Sequence, residues 1–489
     1  MTEMLTGVRT LQNFIDGEWR DASGAELLED RNPATGEVLA RVPLSGAADV
    51  DAAVAAARRA QAAWRETSPL VRARAIFALR DVLVEHRDEI AELVTRDMGK
   101  TLPDATAEVG RGIESVEAAC GMPHLLKGEN LEGVATGVDV SLIRQPVGVI
   151  GAITPFNFPA MIPLWFLPYA LACGNAFVLK PSERDPLPSE RIVQLLSGIS
   201  EIPAGLVALV HGGQDVVNAL LDHPGVDAIS FVGSAATARH VMSRGAANGK
   251  RVQALGGAKN SMVIMPDADP GLMVGGVMGS AFGAAGQRCL AGSIAVLVGT
   301  REEQDRARDR LVEAAAKLQT GDGLDPRTDV CPVVSAEARE RLAGEIAAAE
   351  ADGITIALDG RGDAGPGGAN LGPTILDDIP EGHRVLTEEL FGPILSLVRV
   401  PDLGAAVEAV NASRYGNASV IFTESGGAAR EYRYRVQAGM VGVNVGVAAP
   451  VAWFPFSGWK DSIDGDLHAN GHDAVEFYTR KKVVTERWA

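Results

Sequence analysis

An α/β protein of two large units and a small strand arm is predicted by three features of the sequence. Short, continuously apolar runs alternate with helical segments from about residue 147 to 247, the pattern of a parallel sheet covered by helices on both faces. The chain has 489 residues, 46% of them apolar, more than one hydrophobic core accommodates and enough to fill two or three. Two alternating segments, 134–144 and 476–485, have no partner nearby in sequence and are expected to build a small sheet between subunits.

Taken in order, 50–63 and 73–94 carry the Ala, Leu, Arg and Glu spacing of amphipathic surface helices. The run 147–153 reads as a strand, 160–173 as a helix opened by Pro159, and 176–179 as a second strand, which together make a βαβ unit. A helix over 191–197, a strand over 207–210, a helix over 216–221, a strand over 228–232 and a helix over 235–247 continue that rhythm. A second α/β block is expected from about 260 to 446, with helices near 301–319 and 336–351 and a glycine-rich loop at 360–372. Nothing between Arg144 and Lys180 is charged, yet Pro155, Pro159, Pro163 and Pro168 interrupt the stretch too often for a lipid-exposed helix, so it reads as buried interior.

Composition narrows the function. A formal charge of −18 argues against a nucleic-acid or anionic-membrane surface, so any anionic ligand must be met by local cations. Cys120, Cys173, Cys289 and Cys331 are far apart, with no Cys-x-x-Cys pair, which fits a reducing compartment and offers no zinc site. The first ten residues lack the apolar core of a signal peptide and the Arg/Ser pattern of a transit peptide, so a cytoplasmic location is expected. Gly360-Arg-Gly-Asp-Ala-Gly365 matches a dinucleotide pattern, but the sequence after it does not open a helix. His468 and His472 have helical spacing without the glutamate of a metal motif and read as solvated; no metal site is expected. No G-x-S-x-G elbow occurs.

Cys289 ends the run Phe282-Gly-Ala-Ala-Gly-Gln-Arg-Cys289, a thiol beside a guanidinium in a small-residue stretch. Such a thiol attacks as thiolate, and Arg288 is expected to favour that form; a buried structural cysteine is the alternative. Around it, five motifs follow in order: Thr154-Pro-Phe-Asn-Phe-Pro159, Asn175-Ala-Phe-Val-Leu-Lys-Pro-Ser-Glu183, Phe231-Val-Gly-Ser234, Gly286-Gln-Arg-Cys289 and Glu388-Glu-Leu-Phe-Gly-Pro393. With these the chain resembles the aldehyde dehydrogenase superfamily along nearly its whole length. Gly256-Gly-Ala-Lys-Asn260, Phe456-Ser-Gly-Trp-Lys-Asp-Ser462, Gly465-Asp-Leu-His468 and Glu476-Phe-Tyr-Thr-Arg-Lys-Lys-Val-Val484 are most similar to its CoA-acylating methylmalonate-semialdehyde dehydrogenase branch.

The resemblance implies a Rossmann-like NAD-binding domain (1–126 and 146–256), a catalytic α/β domain (257–458) and an oligomerisation arm (127–145 and 470–489) that forms a homodimer or homotetramer. It makes Cys289 the nucleophile, with the Asn157 amide and the Cys289 backbone N–H holding the oxyanion. NAD would be bound by Thr154, Phe156, Lys180, Glu183, Arg184, Ser234, Gly256, Glu389 and Phe391. Glu183 would favour a ribose 2′-hydroxyl over a 2′-phosphate, a preference that Arg184 softens.

Arg111 and Arg288 would hold a substrate carboxylate through bidentate hydrogen bonds. Hydrolytic relatives carry a glutamate before their Gly-Gly-Lys element, where this chain has Leu255, and 251–266 contains no carboxylate. Coenzyme A is therefore expected as acyl acceptor, so that a methylmalonate- or malonate-type semialdehyde yields propionyl- or acetyl-CoA with loss of CO2. Hydrolysis to the free acid, with a base drawn from another carboxylate, is the alternative. Ile463 and Asp464 depart from the two aromatics usual in the branch, and the acid bears on anionic substrates only if it faces the site.

Overall fold

A computed structural model of the chain describes residues 8–24 and 26–488; the first seven residues, where a targeting signal would begin, lie outside them. Two mixed sheets organise it. The first has eight strands in the spatial order Ile463–Asp464, Arg251–Leu255, Ala228–Val232, Val149–Ile153, Ala176–Lys180, Val207–Leu209, Asn13–Ile15 and Glu18–Arg20. Its five central strands run parallel, as their continuous apolar runs predict, while Ile463–Asp464, Asn13–Ile15 and Glu18–Arg20 pair antiparallel at the edges. Every residue of Val149–Ile153, Ala176–Lys180 and Ala228–Val232 is buried. So is every residue of the helix Met161–Ala172, which accounts for the long uncharged stretch as protein interior.

The second sheet runs Thr355–Leu358, Thr374–Asp377, Ile394–Val400, Gly292–Val298, Asn260–Ile264, Ala418–Phe422 and Met440–Val443, parallel except for its first pair. A three-stranded sheet stands apart: Thr479–Arg487 pairs antiparallel with Val138–Pro146 along its full length, and Val138–Pro146 with Glu129–Ala135. It leaves Leu131, Val134, Ile143, Val483 and Trp488 exposed.

Four expectations need correction. The segment 73–94 is not one helix but Pro69–Glu85 and Arg87–Met98, parted at His86, whose φ of −102° and ψ of 14° leave helical values. The alternation from 476 is not strand at its start. Gly471–Tyr478 is a helix because Ala474, Val475, Phe477 and Tyr478 are buried in the main core, the Tyr478 hydroxyl lying 2.8 Å from Ser230 Oγ. The segment 134–144 spans parts of two strands, turning at Gly137 with φ 70°. His468 is not solvated: Nδ1 meets Asp473 Oδ2 at 2.8 Å and Nε2 the Gly458 carbonyl at 3.1 Å.

Candidate active site

Cys289 is placed by a strained turn. The helix Pro270–Ala281 runs into Ala284 and Ala285, whose φ values of 50° and 52° lie in the left-handed region that a Cβ disfavours, and then into Gly286 at 68°. Only glycine fits at 286, because a Cβ there would drive into the Gly392 carbonyl. Asp104 holds the turn from outside, its Oδ2 accepting from Ala284 N–H at 3.1 Å and its Oδ1 from the Arg288 guanidinium at 2.8 Å. At the far end the Cys289 carbonyl accepts two amide donors, Asn260 Nδ2 and Asn417 Nδ2, each at 2.8 Å. Asn260 also accepts from Ala418 N–H at 3.0 Å, which ties Cys289 to two central strands of the second sheet. Neither amide is singled out by the sequence.

The electrostatics of the thiol differ from expectation. Arg288 turns to Asp104 instead of Sγ, so it does not activate its neighbour. Burial, followed by the negative charge of Glu389, pushes the Cys289 thiol up to about 12, and the cation that acts against this is Lys100. Asn157 reaches the same loop, its Nδ2 donating to the Gln287 carbonyl at 3.0 Å. An amide nitrogen has two hydrogens, so one remains for an oxyanion beside Cys289.

A cavity of about 260 Å3 opens onto Cys289, with Phe158, Met161, Trp165 and Phe456 as apolar walls and both Arg111 and Arg288 in its lining. Arg111 bonds Glu114 Oε2 at 2.5 Å and the Pro450 carbonyl. Both predicted guanidiniums therefore share one cavity, each with a carboxylate of its own. The helix Leu102–Cys120 supplies the arrangement, because Asp104, Glu108, Arg111 and Ser115 recur at intervals of four, three and four and all line the cavity. That polar stripe at helical spacing is the legible signal that attention to Arg111 alone passes over. Ile463 and Asp464 form the edge strand beside Leu255 and Ala254 and are not in the cavity lining.

The remaining predicted residues collect along one edge of the first sheet. Thr154, Lys180, Ser234 and Gly256 lie at or just beyond the C-terminal ends of four neighbouring parallel strands, where α/β sheets receive their ligands. Lys180 Nζ donates to Glu183 Oε2 at 2.6 Å; burial works to raise this carboxyl, but Lys180 overrides it and holds Glu183 below the usual range. Arg184 is exposed beside them. Ser234 caps the helix Ala235–Ala247, accepting from Thr237 N–H at 3.3 Å, at an exposed N-terminus suited to an anion. Gly256 and Gly257 leave a bare cradle between that helix and Glu389: a Cβ on Gly256 would lie 3.3 Å from Ala235 Cα, and one on Gly257 2.6 Å from Glu389 Oε2. Phe391, at φ 60°, meets Phe156 edge to face at 5.7 Å and closes the two loops on each other.

Glu389 accepts from Ala258 N–H at 3.0 Å, and its burial pushes the carboxyl up to about 7, while burial brings Lys259 down to about 8. The folded state thus disfavours ionised Glu389, a penalty absent below its ordinary value of 4.5 and complete above about 7. Glu389→Gln is expected to raise the melting temperature relative to the parent at pH 9, where Lys259 is also neutral, and to change it little at pH 4.5. An equal gain at both pH values excludes this origin.

The chain matches the model of the aldehyde dehydrogenase family over residues 19–484. It is 48% identical over 487 residues to malonate-semialdehyde dehydrogenase 1 of Geobacillus thermodenitrificans, covering 99% of this chain and 100% of that protein. Among solved structures it superimposes with a TM-score of 0.95 on methylmalonate-semialdehyde dehydrogenase of Oceanimonas doudoroffii, at 43% identity and 99% coverage of both chains. A TM-score of 0.96 at 42% identity, with 99% of both chains covered, relates it to a protein of Sinorhizobium meliloti 1021 provisionally assigned as methylmalonate-semialdehyde dehydrogenase and complexed with NAD.

Proposed function

Because the chain belongs to the aldehyde dehydrogenase family, we propose that it oxidises a malonate- or methylmalonate-type semialdehyde to an acyl thioester and passes the acyl group to coenzyme A. The observation that carries this reading is one cavity holding Cys289, Arg111 and Arg288 together; by the resemblance, Leu255 falls where hydrolytic relatives carry their glutamate. Leu255 is buried in the main core, paired with Val232 and Ile463.

The Gly256–Gly257 cradle, the capped helix at Ser234 and the Lys180–Glu183 pair fit NAD, with Glu183 for the adenosine ribose and Glu389 for the second ribose. When bound, NAD supplies the hydride acceptor. The chain's own work begins with Cys289 Sγ, which adds to the aldehyde carbon while the Asn157 amide and the Cys289 N–H stabilise the oxyanion. Loss of hydride from that carbon leaves a thioester on Sγ. Arg111 and Arg288 orient the substrate carboxylate; its C–C bond breaks to release CO2, the electron pair passes into the thioester as an enolate, and a proton returns to the α-carbon. The thiol of CoA then adds to the acyl carbon, Cys289 leaves as thiolate, and acetyl- or propionyl-CoA departs.

The arm supports a homodimer or homotetramer through its exposed Leu131, Val134, Ile143, Val483 and Trp488. This reading keeps the NAD-binding unit at 1–126 and 146–256, the catalytic unit at 257–458 and the arm at 127–145 with the C-terminal strand, and assigns the buried helix Gly471–Tyr478 to the first unit. Among the described residues no helix is long and apolar enough to cross a membrane, and a cytoplasmic location fits the free cysteines.

Glu389 is the carboxylate whose charge acts on Cys289, and, held near 7, it is the candidate base for the hydrolytic alternative. NADH formation with malonate semialdehyde and methylmalonate semialdehyde, with and without CoA, separates the two by product mass. CoA-dependent turnover to acetyl- or propionyl-CoA is expected. Equal turnover without CoA, giving free acid, overturns the acylating step and points to Glu389.

A further inference from the structure

A buried ion pair lies directly beneath the Asn157 loop. Lys100 is 1% exposed and Glu108 2%, and both border the Cys289 cavity. Lys100 Nζ pairs with Glu108 Oε2, donates to the Asn157 carbonyl at 2.6 Å and sits 3.6 Å from the centre of the Phe158 ring. Glu108 Oε1 accepts from Ala160 N–H at 3.0 Å and Met161 N–H at 3.1 Å, the first turn of the buried helix that follows. One pair thus grips the 157–161 turn from both sides, by its carbonyl and by its N–H groups. Stability alone gives no reason to keep it, since buried ion pairs are commonly replaced by apolar side chains at no cost.

We infer that Lys100 and Glu108 are positioning residues for oxidation: they fix the turn that carries the Asn157 amide beside Cys289, and their opposite charges border the cavity onto which that thiol opens. The inference rests on the proposed role of Asn157. The charged groups around the thiol define what Lys100 must act against. Glu389, in the loop after Arg384–Thr387, adds negative charge that acts on the thiol and is itself opposed by Lys259. Arg288 is neutralised by Asp104, and Lys100 is partnered by Glu108. Lys100→Met therefore lowers the thiolate fraction and Glu108→Gln raises it, opposite effects that a purely structural pair would not produce.

The test combines four variants, Lys100→Met, Lys100→Arg, Glu108→Gln and the double variant Lys100→Met/Glu108→Leu, with three readouts: melting temperature, kcat and KM for the aldehyde, and the rate of iodoacetamide alkylation of Cys289 at pH 8 without NAD. The double variant is expected to fold and to lose about 100-fold in kcat with KM changed less than about threefold, the cost of a displaced oxyanion donor. Lys100→Arg retains most of the parent kcat. Alkylation slows several-fold in Lys100→Met and quickens in Glu108→Gln. Should Lys100→Met fail to fold, Glu108→Gln and the double variant still decide. A double variant with kcat within about threefold of the parent, or alkylation rates unmoved or shifted in one direction by both single variants, overturns the inference. The alkylation readout needs no aldehyde and no CoA, so it stands even if the proposed substrate or acyl acceptor is wrong.

Discussion

Replacing Cys289 by alanine lowers NADH formation by more than about 10^4-fold with every aldehyde the parent oxidises, the loss typical of removing a nucleophile. No other cysteine takes over. Cys120, Cys173 and Cys331 are buried and outside the cavity, and burial pushes their thiols up to about 11, 12 and 12. Cys289 differs from them in lining the cavity, where it is only half-buried. The variant leaves intact Lys180, Glu183, Ser234 and the Gly256–Gly257 cradle, so NAD affinity, read by quenching of protein fluorescence, should stay within about threefold of the parent. Retention of even about 1% of the parent rate would mean that a different group attacks the aldehyde.

The sequence motifs named residues that the structure brings together along one sheet edge and one cavity. Thr154, Lys180, Ser234 and Gly256 came from the family resemblance, and the structure sets all four at or just beyond the ends of neighbouring parallel strands. Asp104 and Glu108 were not singled out, because the helix that carries them has the composition of a surface helix. Its charged face is instead buried against the Asn157 and Cys289 loops, a contact made across 184 residues between Asp104 and Arg288. Sequence adjacency misled for the same reason. Arg288 neighbours Cys289 in the chain, but the left-handed turn at Ala284 and Ala285 places its guanidinium within reach of Asp104, and a carboxylate outcompetes a weak thiol acceptor.

The fold shows a parallel division. Four central strands of the first sheet and the helix Ala235–Ala247 were readable from local pattern alone, whereas the strand Arg251–Leu255, the edges and the strands of the second sheet were not. Alternation over 476–485 suits a strand, yet its first part is helix because Phe477 and Tyr478 gain more from the main core, where Tyr478 reaches Ser230 and Gln253, than from an exposed arm. Tertiary burial overrides local preference most readily in such short terminal segments, which have few contacts of their own to defend a conformation.

Asn157→Ala isolates the oxyanion donor. The expected loss is about 10^2- to 10^3-fold in kcat with little change in KM, because the amide acts on charge that develops only as Sγ adds to the carbonyl. Asn157→Asp should lose more, since a carboxylate in the same place repels both thiolate and oxyanion. The substitution to alanine spares the backbone carbonyl that Lys100 holds, so the turn keeps its anchor while its functional group is gone. If Lys100 acts through Asn157, adding Lys100→Met to Asn157→Ala costs far less in kcat than Lys100→Met costs alone, the non-additivity expected of residues that work as one unit. Full additivity of the two losses, with kcat measured at saturating aldehyde, NAD and CoA, would instead separate Lys100 from the oxyanion site and leave it only its electrostatic effect on Cys289.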